Sequence, residues 1–259
     1  QYEQPMMQMT KSWEKGKLLS REDKCLRDNR ESHQRGRITE CLRLKFYKIK
    51  IAIKSDLKYN NNRNGKEGNR RMKVLLLNGS PRKEGCTFTA LNQIAESLNK
   101  QGIETEIFQA GNADMENVKE AAKKLETADG LIVGSPVYWA SPTGQIIEFM
   151  DKLSSLAGKH MLYKPAAAIA SARRAGTTAT LEVLTKYFQF FQMPVISSNY
   201  WNMVHGNTPE EVMQDEEGLQ IMRTLGTNMA WVLKCLEAGK NAGIKKPTPE
   251  EKIKTNFIR

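Results

Sequence analysis

The sequence predicts a three-layer α/β fold, in which a mainly parallel β-sheet is covered by helices on both faces. Short apolar runs typical of buried strands alternate with segments whose apolar residues recur at helical spacing. Five such strands with intervening helices imply right-handed crossovers between parallel strands. Ligands of such sheets bind beyond the carboxyl ends of the strands. The loops that follow the first, third and fourth strands therefore form the candidate site.

The first strand is predicted at Lys73 to Asn78, where KVLLLN is a continuous apolar run that ends before a glycine. Four later segments have the composition of short strands: Ile103 to Phe108, Gly130 to Gly134, Ala166 to Ala170 and Pro194 to Ser197. Helices with one apolar face are predicted between them, at Thr87 to Lys100, Val118 to Leu125, Pro142 to Leu156 and Thr178 to Phe191.

A last helix is predicted to begin at Thr208, because Thr208, Pro209 and Glu211 form an N-terminal capping pattern. Its apolar face continues to Leu236 without a break. A second Thr-Pro-Glu-Glu at Thr248 opens either a short terminal helix or a tail.

The charge of the chain is concentrated at one end. The formal net charge is +11, yet residues 1–71 hold 19 Lys+Arg against 9 Asp+Glu, and the remainder is nearly balanced. One strand-like segment at 46–53 cannot offset the ordering entropy of this leader, so we expect residues 1–71 to be a basic, disordered leader or a translated extension upstream of Met72. A basic arm that grips RNA or anionic lipid is the alternative. Nucleic acid is not an expected partner of residues 72–259.

Composition also excludes several classes of protein. No run approaches the roughly 18 to 20 apolar residues of a membrane span, and no secretory signal pattern is present. We therefore expect a cytoplasmic protein with no membrane partner. The four cysteines have no two-residue spacing, which argues against a disulfide scaffold and against a metal site: Cys25, Cys41, Cys86 and Cys235.

The first of the three loops, GSPRKEGCT, leads from a strand into a helix. Its backbone N–H groups and the helix dipole make an anion site, to which Ser80 and Thr87 add hydroxyls and Arg82 adds a guanidinium. Glu84 and Gly85 stand where a nucleoside-triphosphate loop needs glycine and lysine. The loop therefore predicts a site for a single phosphate group, with a plain strand-to-helix turn as the alternative.

The other two loops combine aromatic and cationic residues. In SPVYWASPTG, prolines and adjacent aromatics form a stiff platform for a flat ligand, unless Tyr138 and Trp139 are ordinary core residues. In SARRAGTT, Arg173 and Arg174 stand beside a glycine at the carboxyl end of a strand. They are costly to desolvate without an anionic partner, and a solvated surface pair is the alternative.

From Met72 onward, the chain resembles the flavodoxin-fold NAD(P)H-dependent oxidoreductases, which include NADPH-dependent FMN reductases and iron–sulfur flavoproteins. The matching segments are GSPRKEGCT, GSPVYWASPTGQIIEFMDK, SARRAGTTAT and SSNYWNMVHGNTPEEV. The resemblance implies a flavodoxin-like fold with a five-stranded parallel sheet of order 2-1-3-4-5. It also implies FMN as the cofactor and NADPH or NADH as the co-substrate.

Carried over by position, the resemblance implies that the FMN phosphate is held by Ser80, Arg82, Cys86 and Thr87. The isoalloxazine ring would be lined by Pro136, Val137, Tyr138 and Trp139, and its other side closed by Ser171, Arg173, Arg174 and Gly176. No catalytic residue is implied. Cys86 stands where many relatives have asparagine, and no Cys-x-x-Cys follows the second strand, so no iron–sulfur cluster is expected.

The implied activity is transfer of hydride from NAD(P)H, by way of FMN, to a small-molecule acceptor such as a flavin or a quinone. The resemblance also implies a homo-oligomer, either a dimer or a tetramer. Trp201 and His205, which precede the last helix, are candidates to reach a neighbouring subunit's flavin, and a packed or surface histidine is the alternative for His205. The alternative is a non-enzymatic electron carrier of the flavodoxin type. Such carriers are usually strongly acidic, whereas residues 72–259 hold almost equal numbers of acidic and basic residues.

Overall fold

A computed structural model describes residues 70–255. The predicted leader falls almost wholly outside the described residues and stays a prediction. The strands are β1 Lys73–Asn78, β2 Glu104–Gln109, β3 Gly130–Tyr138, β4 Ser141–Pro142, β5 Ala166–Ala172 and β6 Met203–His205. The helices are α1 Cys86–Lys100, α2 Met115–Thr127, α3 Gly144–Met161, α4 Thr177–Phe190, α5 Pro209–Val212 and α6 Glu216–Asn241. None of these helices is long and apolar enough to cross a lipid bilayer.

The sheet confirms the predicted architecture. Its order is β2-β1-β3-β5-β6, and every pairing along this path is parallel. The two-residue β4 lies off this path and pairs antiparallel with the end of β3. With β4 set aside, the order of the five parallel strands is the predicted 2-1-3-4-5.

The fifth parallel strand lies later in the chain than the sequence predicts. Met203–His205 pairs with the end of β5, whereas Val195, in the predicted segment 194–197, forms only an isolated bridge with Ala166. The end of β5 offers its free edge to the later segment, so tertiary pairing overrides local propensity.

The predicted last helix is divided in two. Thr208 caps α5 as expected, because its hydroxyl accepts the Glu211 N–H at 3.3 Å. The chain then turns, and Asp215 caps α6 by accepting the Gly218 N–H at 2.9 Å. A Cβ at Gly218 would collide with the Asp215 carboxylate. The segment around Thr248 is not helical.

Two apolar layers flank the sheet. Leu75 and Leu77 of β1 pack into a core with α2, α3 and α4, while Val74 and Leu76 pack on the opposite face against α1 and α6. This alternation is the side-chain period of a strand buried on both faces. The β5 sequence AAAIASA is buried throughout. Because both faces of the sheet are covered, the polar loops that follow β1, β3 and β5 lie at the carboxyl ends of the strands.

Candidate functional site

The first and second loops meet at the carboxyl edge of the sheet. The Gly79 N–H donates to the Gly134 carbonyl at 2.8 Å, and the Thr143 hydroxyl donates to the Gly79 carbonyl at 3.0 Å. A Cβ at Gly79 would lie 2.6 Å from Cγ1 of Ile146. Only glycine therefore permits this close approach. Thr143 also caps α3, a role that a threonine just before a helix indicates.

The third loop is packed against the other two. Gly176 has a φ of 100°, and a Cβ there would lie 2.6 Å from Cα of Ala140 and 2.7 Å from Cγ1 of Val137. The hydroxyls of Thr87 and Ser171, both buried, are 2.7 Å apart and share a hydrogen bond. The residues proposed from the three loops thus belong to one connected region of the structure.

The donors of the first loop suit a phosphate. The hydroxyl of Ser80 is buried and accepts the Arg82 N–H at 3.1 Å, while the side chains of Arg82 and Lys83 are exposed. Gly85 precedes α1 and supplies no side-chain cap, and the first turn of α1 holds no acidic residue. Main-chain N–H groups at a helix start, together with cations, are the donor set of a phosphate site. These residues fit the phosphate of FMN.

Cys86 connects the first loop to the segment after β6. Its Sγ lies 3.7 Å from the carbonyl oxygen of Gly206, to which the thiol donates. Burial raises the pKa of the Cys86 thiol, and the Arg82 guanidinium acts against that rise without cancelling it. A protonated thiol is a weak donor. The contribution we expect from Cys86 to anion binding is therefore its backbone N–H.

The second loop is a β-hairpin. β3 continues through Pro136 and Val137 to Tyr138, turns at Trp139 and Ala140, and returns as β4. Both turn residues have positive φ, 52° and 56°, a region that is costly for residues other than glycine. Tyr138 is 43% exposed and Trp139 is 101% exposed, so neither is a core residue. The hairpin presents two aromatic rings to solvent at this edge.

The third loop is also tied to the last residue of β6. Arg173 and Arg174 are exposed, and the Arg174 carbonyl lies 3.2 Å from Nε2 of His205. The His205 N–H donates to Asp215 at 2.6 Å. Sequence reasoning did not place His205 in this group, because it set the fifth strand too early.

Two strand-end amides hold the backbone of the first loop. Oδ1 of Asn78 accepts the Ser80 N–H at 3.2 Å, and its Nδ2 donates to the Lys83 carbonyl at 3.1 Å. Nε2 of Gln109 donates to the Ser80 carbonyl at 2.5 Å. Sequence reasoning missed both residues. Their signal is a polar side chain at the last position of a strand.

Metal chemistry has no visible support in this region. Within residues 70–255, no three His, Cys, Asp or Glu side chains are grouped so that they could hold a metal ion. The segment from Ala110 to Asp114, which joins β2 to α2, contains no cysteine. The expectation that the chain holds no iron–sulfur cluster stays a prediction.

The family model described as NADPH-dependent FMN reductase matches residues 72–208, which contain all three loops. The chain belongs to this family. As an NADPH-dependent FMN reductase family member, it is an oxidoreductase with FMN as cofactor and NAD(P)H as co-substrate. The match covers β1 to β6 and ends at the residue that caps α5.

Individual relatives agree with the family. An iron–sulfur flavoprotein of Methanocaldococcus jannaschii is 28% identical over 64% of this chain and 100% of its own length. An NADPH azoreductase of a Bacillus species is 29% identical over 39% of this chain and 59% of its own length.

Solved structures agree with the fold. A WrbA-like flavodoxin protein from Agrobacterium tumefaciens has a TM-score of 0.51 at 18% identity, covering 64% of this chain and 99% of its own. FerB, an NAD(P)H:acceptor oxidoreductase of Paracoccus denitrificans, has a TM-score of 0.52 at 17% identity, covering 63% and 98%. At such identities the likeness shows the flavodoxin-like fold alone.

Proposed function

We propose that the second substrate of this oxidoreductase is a small, flat molecule such as a free flavin or a quinone. The observation that carries the proposal is the joining of an anion loop to an exposed aromatic hairpin through Gly176 and the Thr87–Ser171 hydrogen bond. A mononucleotide needs a phosphate site beside a surface for its ring, and a flat acceptor needs an open aromatic face. Both needs are served at the same edge of the sheet.

We assign the binding of the FMN phosphate to the first loop, through Ser80, Arg82 and the N–H groups of Cys86 and Thr87. The ring is assigned to the hairpin residues Pro136, Val137, Tyr138 and Trp139, and to the third-loop residues Ser171, Arg173, Arg174 and Gly176. FMN supplies hydride acceptance and donation when it is bound. The chain's own residues orient the cofactor and place positive charge beside it.

The charge contribution comes from the third loop. Arg173 and Arg174 place two exposed guanidinium groups at this edge, and the Arg174 backbone is held by His205. Fixed positive charge favours binding of the more negatively charged, reduced form of a cofactor. No side chain is required to move a proton in hydride transfer, so we assign no acid or base.

A flavodoxin-type electron carrier is the second candidate, since it shares the fold. It is disfavoured by the near balance of acidic and basic residues in 72–259. A carrier docks basic partners through an acidic surface, whereas the edge described here holds three exposed arginines, Arg82, Arg173 and Arg174. Sustained NAD(P)H oxidation by the isolated protein separates the two, because a carrier shows almost none.

The decisive experiment is the absorbance spectrum of the purified protein, recorded with and without NADPH. Under anaerobic conditions, we expect a flavin spectrum that NADPH bleaches and that returns on addition of free flavin or a quinone. A protein that stays colourless after incubation with FMN contradicts the site. Failure of both free flavin and a quinone to restore the spectrum contradicts the acceptor class.

The phosphate assignment is tested by Arg82→Ala. We expect FMN affinity to fall by about tenfold or more, the effect of losing a charge-assisted hydrogen bond. Arg223→Ala, a change at an exposed arginine on α6, is the matched control and should leave the affinity unaltered. Equal affinity of Arg82→Ala and the unmodified protein for FMN would show that the first loop is not the phosphate site.

We also propose that the protein is a homo-oligomer. Apolar residues stand exposed just before β6, the last strand in the sheet order: Val195 at 46%, Tyr200 at 52% and Trp201 at 55%. Clustered exposed aromatics are typical of protein interfaces. Light scattering on a sizing column should give at least a dimer, and Trp201→Lys should shift it toward the monomer. If the unmodified protein is monomeric at micromolar concentration, the proposal of a homo-oligomer is refuted.

A further inference from the structure

We infer that Asn78 and Gln109 are positioning residues that set the shape of the first loop, and with it the affinity for the phosphate of FMN. Neither residue needs to touch the cofactor. The inference rests on the proposed assignment of that loop as the phosphate site, and it adds two residues on which the site depends.

The two side chains stand side by side at the ends of adjacent strands. Asn78 and Gln109 are partners in the β1–β2 register, and Nδ2 of Asn78 donates to Oε1 of Gln109 at 2.9 Å. Asn78 is 1% exposed. Because each amide is fixed by the other and by the sheet, the pair is a rigid support for the loop above it.

From this support, the pair bonds the loop backbone at its start and its middle. Both backbone polar groups of Ser80 are engaged, its N–H by Asn78 and its carbonyl by Gln109. Farther along, the Lys83 carbonyl accepts from Asn78. The N–H and C=O of a planar trans peptide point in opposite directions. The bond to the Lys83 carbonyl therefore turns the following N–H, that of Glu84, away from Asn78.

This arrangement matters for an anion because carbonyl oxygens repel it and N–H groups attract it. The hydrogen bonds from Asn78 and Gln109 hold three loop carbonyls toward the sheet, those of Ser80, Arg82 and Lys83. With these carbonyls fixed, phosphate binding requires no reorganisation of the loop. Without the hydrogen bonds from Asn78 and Gln109, the carbonyls are free to turn toward the anion, and phosphate binding weakens.

An independent feature supports the same role. Gly111 follows β2, and a Cβ built on it would collide with the Ser80 carbonyl and lie 2.7 Å from Nε2 of Gln109. The φ of Gly111 is not positive, so its requirement is for space and not for backbone freedom. The chain leaving β2 is thus packed against the first loop at the point where Gln109 bonds it.

The test compares FMN with riboflavin, which lacks the phosphate. Gln109→Met keeps the side-chain volume and removes the donor, and Gly111→Ala fills the space beside Ser80. Dissociation constants for both flavins come from fluorescence quenching of the apoprotein. We expect FMN to bind about tenfold more weakly to each variant. Riboflavin affinity should change by less than about twofold, as for a substitution that touches no ligand.

The control is Thr105→Val on the same strand. Its hydroxyl bonds Asn99 at the opposite end of the sheet, so the change removes a hydrogen bond of β2 away from the loop. It should alter neither affinity. Thermal unfolding of each apoprotein identifies any loss of overall stability, and either loop variant suffices if the other does not fold.

Two results overturn the inference. One is unchanged FMN affinity in Gln109→Met and Gly111→Ala. The other is an equal loss of FMN and riboflavin affinity, which is what general destabilisation produces. The proposed acceptor class fails on different evidence, when the unmodified protein reduces neither free flavin nor a quinone. Such a failure would not alter the ratio of the FMN and riboflavin dissociation constants.

Discussion

Replacing Trp139 with asparagine should make the protein more stable and a poorer binder of flat ligands. Trp139 has a φ of 52° and its side chain is fully exposed. A left-handed conformation costs a non-glycine residue about 1–2 kcal/mol, and asparagine tolerates it better than most residues. Asparagine is also favoured at the first position of this type of hairpin turn.

The magnitude follows from two terms. Loss of the indole forfeits almost no burial, because the side chain is 101% exposed. Relief of backbone strain then remains, and we expect a gain in the free energy of unfolding of about 1 kcal/mol. For a domain of this size, that corresponds to a rise in melting temperature of about 2–4 °C. Loss of the aromatic face should weaken ligand stacking by about 0.5–1.5 kcal/mol.

Melting is followed by circular dichroism, without flavin and with saturating FMN, and the Michaelis constant is measured for a quinone. Trp231→Asn is the matched control, because Trp231 is also an exposed tryptophan, at 66%, but lies within α6. Its replacement should change stability by no more than about 0.5 kcal/mol. A lower melting temperature for Trp139→Asn, or equal effects of the two changes, would refute the strain argument.

Three further predictions concern stability, read from urea unfolding. Gly176→Ala should lower the free energy of unfolding more than Gly102→Ala does, by about 1 kcal/mol or more. Both glycines have positive φ, but only Gly176 has no room for a Cβ. Equal losses of stability would show that the close contact at Gly176 has no energetic effect. Thr87→Val should lower the free energy of unfolding by about 1–3 kcal/mol, because it leaves the buried Ser171 hydroxyl without a hydrogen-bond partner. Adding Ser171→Ala should recover part of that loss. If the effects of the two substitutions simply add, the two hydroxyls are not energetically coupled. Partial burial raises the pKa of Glu106, but hydrogen bonds from two lysines outweigh burial and hold that pKa below its ordinary value. Glu106→Gln should therefore cost less than about 1 kcal/mol at pH 7. That difference should disappear as the pH falls through the lowered pKa of the folded state.

The parts of the fold that the sequence predicted are those with local causes. β1 is a continuous apolar run, so its burial on both faces could be read directly, and the helices followed from their apolar faces. β6 has no such run: three residues after a stretch of mixed polar and aromatic residues become a strand because the free edge of β5 pairs with them. Which part of the β5 edge each of two neighbouring segments occupies is decided by tertiary contacts, which periodicity does not record.

The candidate site shows the same division. The residue types of the three loops indicated an anion and a flat ring, and the structure places those loops in contact. The two-residue turn of the hairpin was not foreseen, because Trp139 and Ala140 occupy positions that normally call for asparagine and glycine. Asn78 and Gln109 were not foreseen either, since their partners are backbone groups of a loop whose path the sequence does not specify.

The hairpin formed by the end of β3 and β4 has a consequence for how such an enzyme diversifies. Its turn lies beyond the last residue at which β3 pairs with β5, Pro136, and so outside the ladder that stabilises the domain. On the proposed assignment of the hairpin to the flat ligand, substitutions at Trp139 and Ala140 change the face offered to an electron acceptor while every parallel strand pairing is retained. The same assignment predicts that exchanging these two adjacent residues alters acceptor preference with little penalty to folding.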